Sequence, residues 1–331
     1  MKTRALLWVL SVLGGVLGLL FVIALCLGPI TLTPADVLHG LGGGAGVAHV
    51  IVHEIRLPRA LLAVLIGSGL GMAGAALQAL LRNPLAEPGV IGVSAGSALG
   101  AVVAFYSGLS AQYALALPLA GCAGAMVTTL ILYAFTRRTL DTSGLILAGV
   151  AINSLGGALT ALLLNLSPNP YAVYEIVFWL MGSLADRSNV HVMLVAPFIL
   201  TGMGLLIYAA PHLDSLVLGE ETAQSLGVNL RRLRRWVIVG VALAVGPGVA
   251  VAGIIGFIGL LVPHLLRPLV THRPSALLPA SALGGAVMTL TADNLIRLFA
   301  GAGELKLGVL TALIGAPLFL IIALRAPGFR S

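Results

Sequence analysis

The sequence predicts an all-α membrane protein whose helices cross the bilayer about ten times. Of its 331 residues, 59% are hydrophobic and 9% are charged, so the chain is far poorer in charge than a soluble domain. Its mean hydropathy is +1.09, and its charged residues are too few to cover a 33.8 kDa globule in water. The apolar runs lack the period-two alternation of membrane-spanning strands, so we expect helices and not a barrel.

The apolar runs follow one another with short connections. A helix needs about 20 apolar residues to cross a bilayer, and the eighth run is shorter and contains Pro263. The predicted spans cover residues 5–28, 60–81, 90–107, 113–135, 143–165, 189–210, 236–256, 257–270, 275–296 and 307–324. A further apolar stretch, 171–184, follows Pro168 and Pro170 and is predicted to lie as a half-helix at one surface.

Charged residues between the spans predict that both termini lie in the cytoplasm. Lys2 and Arg4 precede the first run, which is too long for a signal peptide and is interpreted as a retained span. With ten spans, most of the 18 Lys and Arg residues fall on the cytoplasmic side, as the positive-inside rule requires. Those predicted outside are Arg56, Arg59, Arg187, Arg297 and Lys306. The net charge of +7 therefore indicates topology and not nucleic-acid binding.

Residues needed for several kinds of chemistry are missing from the sequence. Neither Lys2 nor Lys306 stands in the Gly-Lys-Ser/Thr context of a P-loop, so we expect no ATP site in this chain. The predicted spans have no central carboxylate, which weakens the alternative of an ion-coupled secondary transporter. Metal motifs are absent, and Cys26 and Cys122 are interpreted as packing residues, so neither a metal nor a cofactor is expected.

The segment between the sixth and seventh predicted spans, about 213–235, is predicted to contain a short capped helix. Acidic residues suit the positive end of such a helix, a glycine suits its C-terminal cap, and two apolar residues give it a small face. These residues are Glu220, Glu221, Ala223, Leu226 and Gly227. From the residues alone, a docking element for a partner and a helix lying on the lipid surface are equally favoured.

Residues 56–59, Arg-Leu-Pro-Arg, are predicted to open the second span, because proline is favoured in the first helical turn. Both arginines would then lie at the positive end of a helix and on the outer side, which are two unfavourable placements. Glu54 would offset part of this charge, and an anionic partner outside the membrane would offset more. Arg297 also falls outside, four residues after Asp293, where a salt bridge and a docking role are equally favoured.

Longer motifs follow one another along the whole chain. They are RLPRALLAVLIGSGL (56–70), GAALQALLRNPLAEPGVIGVSAG (74–96), LILAGVAI (145–152), LGEETAQSLGV (218–228), GIIGFIGLLVPHLLRP (253–268) and GVLTALIGAPLFL (308–320). Together they resemble the FecCD-type permease subunits of type II ABC importers for ferric siderophores, haem and cobalamin. The resemblance implies that residues 1–331 form one permease domain of ten spans in the bacterial inner membrane.

The same resemblance implies an assembly. A second copy of the chain would form a homodimer around a central pathway, two separate subunits would bind ATP and Mg, and a periplasmic substrate-binding protein would deliver the cargo. The outer arginines that dock acidic residues of that protein are matched by Arg56, Arg59 and Arg297. The segment that couples to the ATPase is matched by Leu218, Gly219, Glu220, Glu221, Ala223, Leu226 and Gly227. The loops that narrow the cytoplasmic exit are matched by Asn83, Leu85, Thr142 and Ser143.

Two local features bear on the cargo. Where the family usually has Leu-Pro, residues 305–307 are Leu-Lys-Leu, and the charge of Lys306 near the outer mouth hints at an anionic substrate. His39, His49 and His53 cluster ahead of the second span, which favours haem slightly over a ferric siderophore or cobalamin. A membrane scaffold without transport would need none of the outer arginines.

Overall fold

The computed structural model describes residues 2–43, 46–138, 142–167, 169–270, 272–298 and 305–325. These residues form helices and connecting turns without a β-strand, which confirms the predicted all-α fold class. The first helices are α1 (Lys2–Cys26), α2 (Pro34–Leu41), α3 (Val47–Val50), α4 (Leu57–Leu80), α5 (Val93–Tyr106), α6 (Leu109–Gln112), α7 (Ala116–Arg138) and α8 (Thr142–Asn165). The remaining helices are α9 (Pro170–Leu180), α10 (Asn189–Leu216), α11 (Glu220–Ser225), α12 (Leu230–Ala252), α13 (Ile258–Leu266), α14 (Pro274–Leu298) and α15 (Leu307–Arg325).

The long helices follow the predicted spans in order. Within the described residues, 7 helical segments are long and apolar enough to cross a membrane, and α5 and α15 are apolar but shorter. The eighth predicted span corresponds to α13, which has 9 residues and contains Pro263. The predicted half-helix is α9, and Pro168 ahead of it lies outside the described residues.

Helix α4 lies at the centre of the bundle and packs against α14, α10, α12 and α13. Its Gly67 and Gly71 lie directly against the backbone of α14 around Ser281 and Gly285, so a methyl group on either glycine would overlap a carbonyl. In a bilayer, helices associate by such close backbone approach and not by hydrophobic burial from water. The glycines therefore fix α4 and α14 as a tight pair.

Two helices begin inside the bundle and not at its surface. After α4 ends, the chain turns back through a 3₁₀ turn at Pro88–Ile91 before α5 begins, and an irregular stretch precedes α13. Gly259, near the start of α13, lies against both Gly74 of α4 and Pro88. Gly74 is one to two turns before the end of α4. The connection between α4 and α5, residues 81–92, therefore turns back into the bundle to the level of Gly74 before α5 begins, and we call it the re-entrant segment.

The second predicted span begins differently from the expectation. Residues Ile51–Arg56 form a π-helical turn that joins α3 to α4 in one helical run, Val47–Leu80. Pro58 lies within this run, and the wider turn before it accommodates a ring that would crowd the carbonyl four residues earlier. The prediction that Arg56 and Arg59 lie at the positive end of a helix is therefore wrong.

Candidate functional site

Arg59 and Arg297 share one carboxylate at the end of the bundle where α4 begins and α14 ends, which we call the Asp293 end. Arg59 donates from Nε and Nη2 to Asp293 Oδ1 at 2.9 and 2.7 Å, and from Nε to Oδ2 at 3.1 Å. Arg297 donates from Nε to Asp293 Oδ2 at 2.9 Å and from Nη1 to the Ala24 carbonyl at 2.7 Å. These contacts join α1, α4 and α14, because Ala24 belongs to α1 and Arg59 to α4. The shared carboxylate of Asp293 is fully buried.

Arg56 is held at the same end by backbone carbonyls. Its Nη1 donates to the carbonyls of Leu25 and Cys26, each at 2.7 Å, and its Nη2 donates to that of Ile30. The last carbonyls of a helix have no partner within the helix, so Arg56 caps the end of α1. The residue is 4% exposed and occupies an internal position.

These contacts change the interpretation of the three arginines predicted to dock a partner. Arg297 forms the salt bridge with Asp293, which is one of the two alternatives that the sequence left open, and its side chain is 6% exposed. The side chain of Arg59 is 20% exposed, so it retains more accessible surface than Arg297. The carboxylate that offsets Arg59 and Arg297 is that of Asp293, whereas Glu54 lies on the exposed surface.

A cavity of about 280 Å³ opens beside these arginines. Lys306 lines it together with Arg56, Arg59 and Arg297, so its wall is strongly basic. The ammonium group of Lys306 lies 5.3 Å from the centroid of the Phe178 ring, which is cation–π distance. The charge that distinguishes this chain from the usual Leu-Pro sequence thus lies in the same cavity as the arginines.

The histidines that favoured haem do not form a metal site. The His49 and His53 rings are 4.5 Å apart between centroids, and His49 Nδ1 lies 2.8 Å from the Gly40 carbonyl oxygen. His39 lines a different cavity on α2. Among the residues that the structure describes, no group of three His, Cys, Asp or Glu side chains is placed to hold a metal ion.

At the opposite end of the bundle, which we call the α11 end, the predicted short helix is present as α11. Gly227 follows it with φ +86°, the left-handed conformation that glycine adopts easily. The Gly227 N–H donates to the Gln224 carbonyl at 2.8 Å, and the Val228 N–H donates to the Ala223 carbonyl at 3.0 Å. This is a Schellman cap, so the predicted glycine cap is confirmed.

The two apolar residues predicted to form one face of α11 lie on different sides. Ala223 is 0% exposed and packs in the main hydrophobic core of its own chain, whereas Leu226 is 62% exposed. The prediction that both contact a partner is therefore wrong for Ala223. Leu218, just before α11, is 65% exposed. Arg234 donates to Glu220 Oε1 at 2.9 Å and fixes the start of the helix.

A second feature of the α11 end is a cavity of about 240 Å³ where α4, α10 and α13 end and α14 begins. Its wall includes Gln78, Arg82, Arg267 and His272, and the lining residues that the structure describes include no carboxylate. Buried Gln78 donates from Nε2 toward two carbonyls at the start of α13 and accepts at Oε1 from Arg267 Nη2 at 2.7 Å. Gln78 thereby holds the Arg267 guanidinium in place; we call this the basic cavity.

Arg82 has an unusual backbone where α4 ends. Its φ is +49°, and the Asn83 N–H donates to the Gln78 carbonyl at 3.2 Å. The Arg82 N–H donates to the Ala79 carbonyl at 3.4 Å, which completes a second Schellman cap. Glycine is the usual residue at this position, and a side chain there costs of the order of 1–2 kcal/mol.

The residues matched to the exit-narrowing loops are described in part. The Leu85 N–H donates to Asn83 Oδ1 at 2.9 Å, so the loop after α4 is folded on itself, and Leu85 is exposed. Thr142 begins α8. The side chains of Thr142 and Ser143 lie outside the described part of the structure.

The re-entrant segment carries a carboxylate that the sequence analysis did not single out. Glu87 is half-buried and is hydrogen-bonded by the backbone of Phe257, just ahead of α13. It lines a cavity of about 420 Å³ together with Ser94, Asn153 and Thr160. Glu87 lies in a connection between spans, as expected, but this connection turns back into the bundle. The prolines on both sides of it, Pro84 and Pro88, are the features that indicate an interrupted segment.

The comparisons with known proteins agree along nearly the whole chain. The model of the FecCD transport family matches residues 16–325. The vitamin B12 import system permease protein BtuC of Salmonella typhimurium strain LT2 is 39% identical over 327 residues, which cover 98% of this chain and 97% of the relative. The protein of the same name from Salmonella typhi gives the same values.

Two solved structures are similar as well. The structure of a metal-chelate type ABC transporter in an inward-facing conformation matches with a TM-score of 0.85 and 34% identity, over 97% of this chain and 100% of the other. PsaBC from Streptococcus pneumoniae in complex with Fab matches with a TM-score of 0.55 and 16% identity, over 90% of this chain and 98% of the other. At that identity the second match shows a shared fold alone.

Proposed function

Because the chain belongs to the FecCD transport family, we propose that it forms the pathway through which an ATP-driven importer moves its cargo from the periplasm to the cytoplasm. Like its relatives, the chain is a permease subunit of a type II ABC importer, and it is not an enzyme. ATP and Mg would bind to two separate subunits, and a periplasmic binding protein would present the cargo. A secondary transporter is disfavoured by this family membership.

Cobalamin is the proposed cargo among the three that the sequence left open. Relatives that are 39% identical over nearly the full length are named as vitamin B12 permeases. The preference for haem depended on three histidines, and these do not converge on a metal-binding group within the described residues. Uptake of labelled cobalamin, compared with haem and a ferric siderophore in the same cells, tests this choice.

A second copy of the chain is proposed to pack against α8 and to complete the central pathway. Asn153 and Ser154 are exposed in the middle of α8, where a polar side chain facing lipid is unfavourable. The cavity that contains Glu87, Ser94 and Thr160 adjoins this face. A water-filled pathway shared by two copies gives these polar groups a favourable environment.

Orientation and docking follow from the charges. We place both termini in the cytoplasm of a bacterium, with the Asp293 end in the periplasm, because the positive-inside rule then holds. At that end, the cavity of about 280 Å³ lined by Arg56, Arg59, Arg297 and Lys306 suits an acidic side chain of the binding protein. Arg59, the more exposed arginine of the salt-bridged pair, is the proposed contact, with Arg56 and Arg297 as its internal supports.

We propose that α11 couples the permease to the ATP-binding subunits. One observation supports this proposal: Leu218 and Leu226 are exposed beside a helix that is anchored to its own chain. Ala223 and the pair between Glu220 and Arg234 anchor α11, so the two leucines are presented on a fixed support. Exposed leucines on a rigid, capped helix are typical of an element that inserts into an apolar groove.

The double variant Leu218→Asp with Leu226→Asp tests this coupling. Carboxylates buried without partners should weaken association with the ATP-binding subunits by at least a hundredfold, a loss of about 3 kcal/mol or more. The permease should unfold at an unchanged temperature, because both positions are exposed. Leu38→Asp, at an equally exposed leucine on α2, is the matched control and should leave co-purification intact. Stoichiometric co-purification and normal transport by the double variant would exclude the coupling role.

A further inference from the structure

The basic cavity at the α11 end lies directly beside the segment proposed to couple to the ATPase. Val217 lines this cavity, and the next residue, Leu218, is one of the two exposed leucines. We propose that the basic cavity binds an acidic side chain of the ATP-binding subunit and forms a second anchor next to α11. This inference rests on the proposed function.

The charge of the cavity favours a carboxylate. Arg82, Arg267 and His272 contribute positive or protonatable groups, and no acidic side chain is among the described residues that line it. Asp214 lies in the last turn of α10, three residues before Val217 of the cavity wall. It already accepts hydrogen bonds from the Ser275 N–H at 2.8 Å and from the Ser275 hydroxyl at 2.6 Å. It therefore neutralises the start of α14 and leaves the cavity basic. Arginine pairs with carboxylates through two parallel hydrogen bonds, which suits this lining.

The cavity is also built in advance. Gln78 is buried, is tied to α13, and fixes one side of the Arg267 guanidinium, so less side-chain entropy is lost when a carboxylate binds. Arg82 keeps a long side chain at a position whose backbone favours glycine. Such local strain is typical of a residue whose side chain has a function.

The location favours a protein partner over a lipid. The cavity lies at the end of α4, the central and largely buried helix, between the ends of three other helices. Arg82 is followed directly by Asn83 and the exit loop that contains Leu85. An acidic group bound here would connect movement of the ATPase to this loop without passing through α11.

Two variants of Arg82 test the inference in the purified permease with its ATP-binding subunits. Arg82→Gly removes the charge and relaxes the backbone, whereas Arg82→Gln removes the charge alone. We expect both to weaken ATPase binding about tenfold or more, as for loss of a charged hydrogen bond, and to flatten its salt dependence. Arg82→Gly should unfold at the same temperature as the native permease or a higher one. Arg4→Gln, an exposed arginine of α1, is the control and should bind normally.

The outcomes separate this inference from the function on which it rests. Unchanged ATPase affinity in both Arg82 variants, while Leu226→Asp weakens binding, overturns the second anchor alone. Unchanged affinity in all three variants overturns the coupling role of this end as well. If inorganic phosphate or phosphatidylglycerol vesicles stabilise the native permease but not Arg82→Gln, and ATPase affinity is unchanged, the cavity is a phosphate or lipid-headgroup site and the inference is wrong.

Discussion

The two ends of the bundle both contain arginines, but the groups of their own chain that these arginines contact are different. At the Asp293 end, Arg56 and Arg297 are buried against carbonyls and a carboxylate of their own chain. At the α11 end, Arg82 and Arg267 line a cavity whose described wall has no carboxylate. The difference teaches that an arginine's position between spans does not reveal whether it holds the fold together or binds a partner. The groups within its reach decide this.

The largest expected effect is at Asp293. Asp293→Ala leaves two guanidinium groups without their buried carboxylate and should reduce the free energy of unfolding by about 3–5 kcal/mol. Denaturation of the purified permease in detergent measures this loss. Asp214→Ala, at the α11 end, removes a less buried carboxylate bonded to Ser275 and should cost less. Equal losses in the two variants would remove the contrast between the ends.

A smaller effect is expected at Arg56. Arg56→Gln cannot reach all three carbonyls at the end of α1, and the loss should be about 2–4 kcal/mol of unfolding free energy. Hydrogen exchange should increase around Leu25 and Ile30. Arg82→Gln at the other end should leave the unfolding free energy unchanged. If both glutamine variants are equally stable, Arg56 is not a structural support.

The smallest effect concerns an exposed carboxylate at the Asp293 end. Hydrogen bonds from the Thr33 hydroxyl and backbone N–H lower the pKa of Asp36 below its usual 3.8 and form the capping box of α2. A lowered pKa in the folded state means that the cap contributes at neutral pH and is lost as the pH falls through that lowered value. Hydrogen exchange in α2, corrected for intrinsic rates, should rise only in strong acid. In Asp36→Asn this acid step should be absent.

Helix content and order were predictable because they depend on local properties of the chain. A long apolar run forms a helix in a bilayer, where each backbone group must bond within the helix. The caps of α11 were predictable for the same reason, since glutamates at its start and Gly227 at its end act on their own turns. Local sequence therefore sufficed for the fold class and for the existence of the short capped helix α11.

The partners of the arginines were not predictable, because they are either far away in the sequence or are backbone carbonyl groups, which do not depend on the side chain. Asp293 is 234 residues from Arg59, and Arg56 bonds to backbone carbonyls, which any residue supplies. Burial of Ala223 depends on which side of a six-residue helix docks on the bundle, and so short a helix has too few turns to indicate a face. Pro58 lies in the first turn of α4, as predicted, but it does not mark the start of the helical run, because a π-helical turn before it joins α4 to α3.

Because of the π-helical turn at Ile51–Arg56, the number of residues in this segment sets the rotation of α3 relative to α4. Such a turn holds one residue more than an α-helical turn, and each residue of an α-helix advances the direction of its side chain by about 100°. Deletion of one residue, such as Glu54, would let α3 and α4 merge into a regular helix but would rotate α3 by about that angle. Val52, which packs with Leu25 and Val37, would then face away from α1 and α2. A one-residue gap over these positions in an alignment of two sequences therefore indicates that α3 is rotated relative to α4 in one of the two proteins.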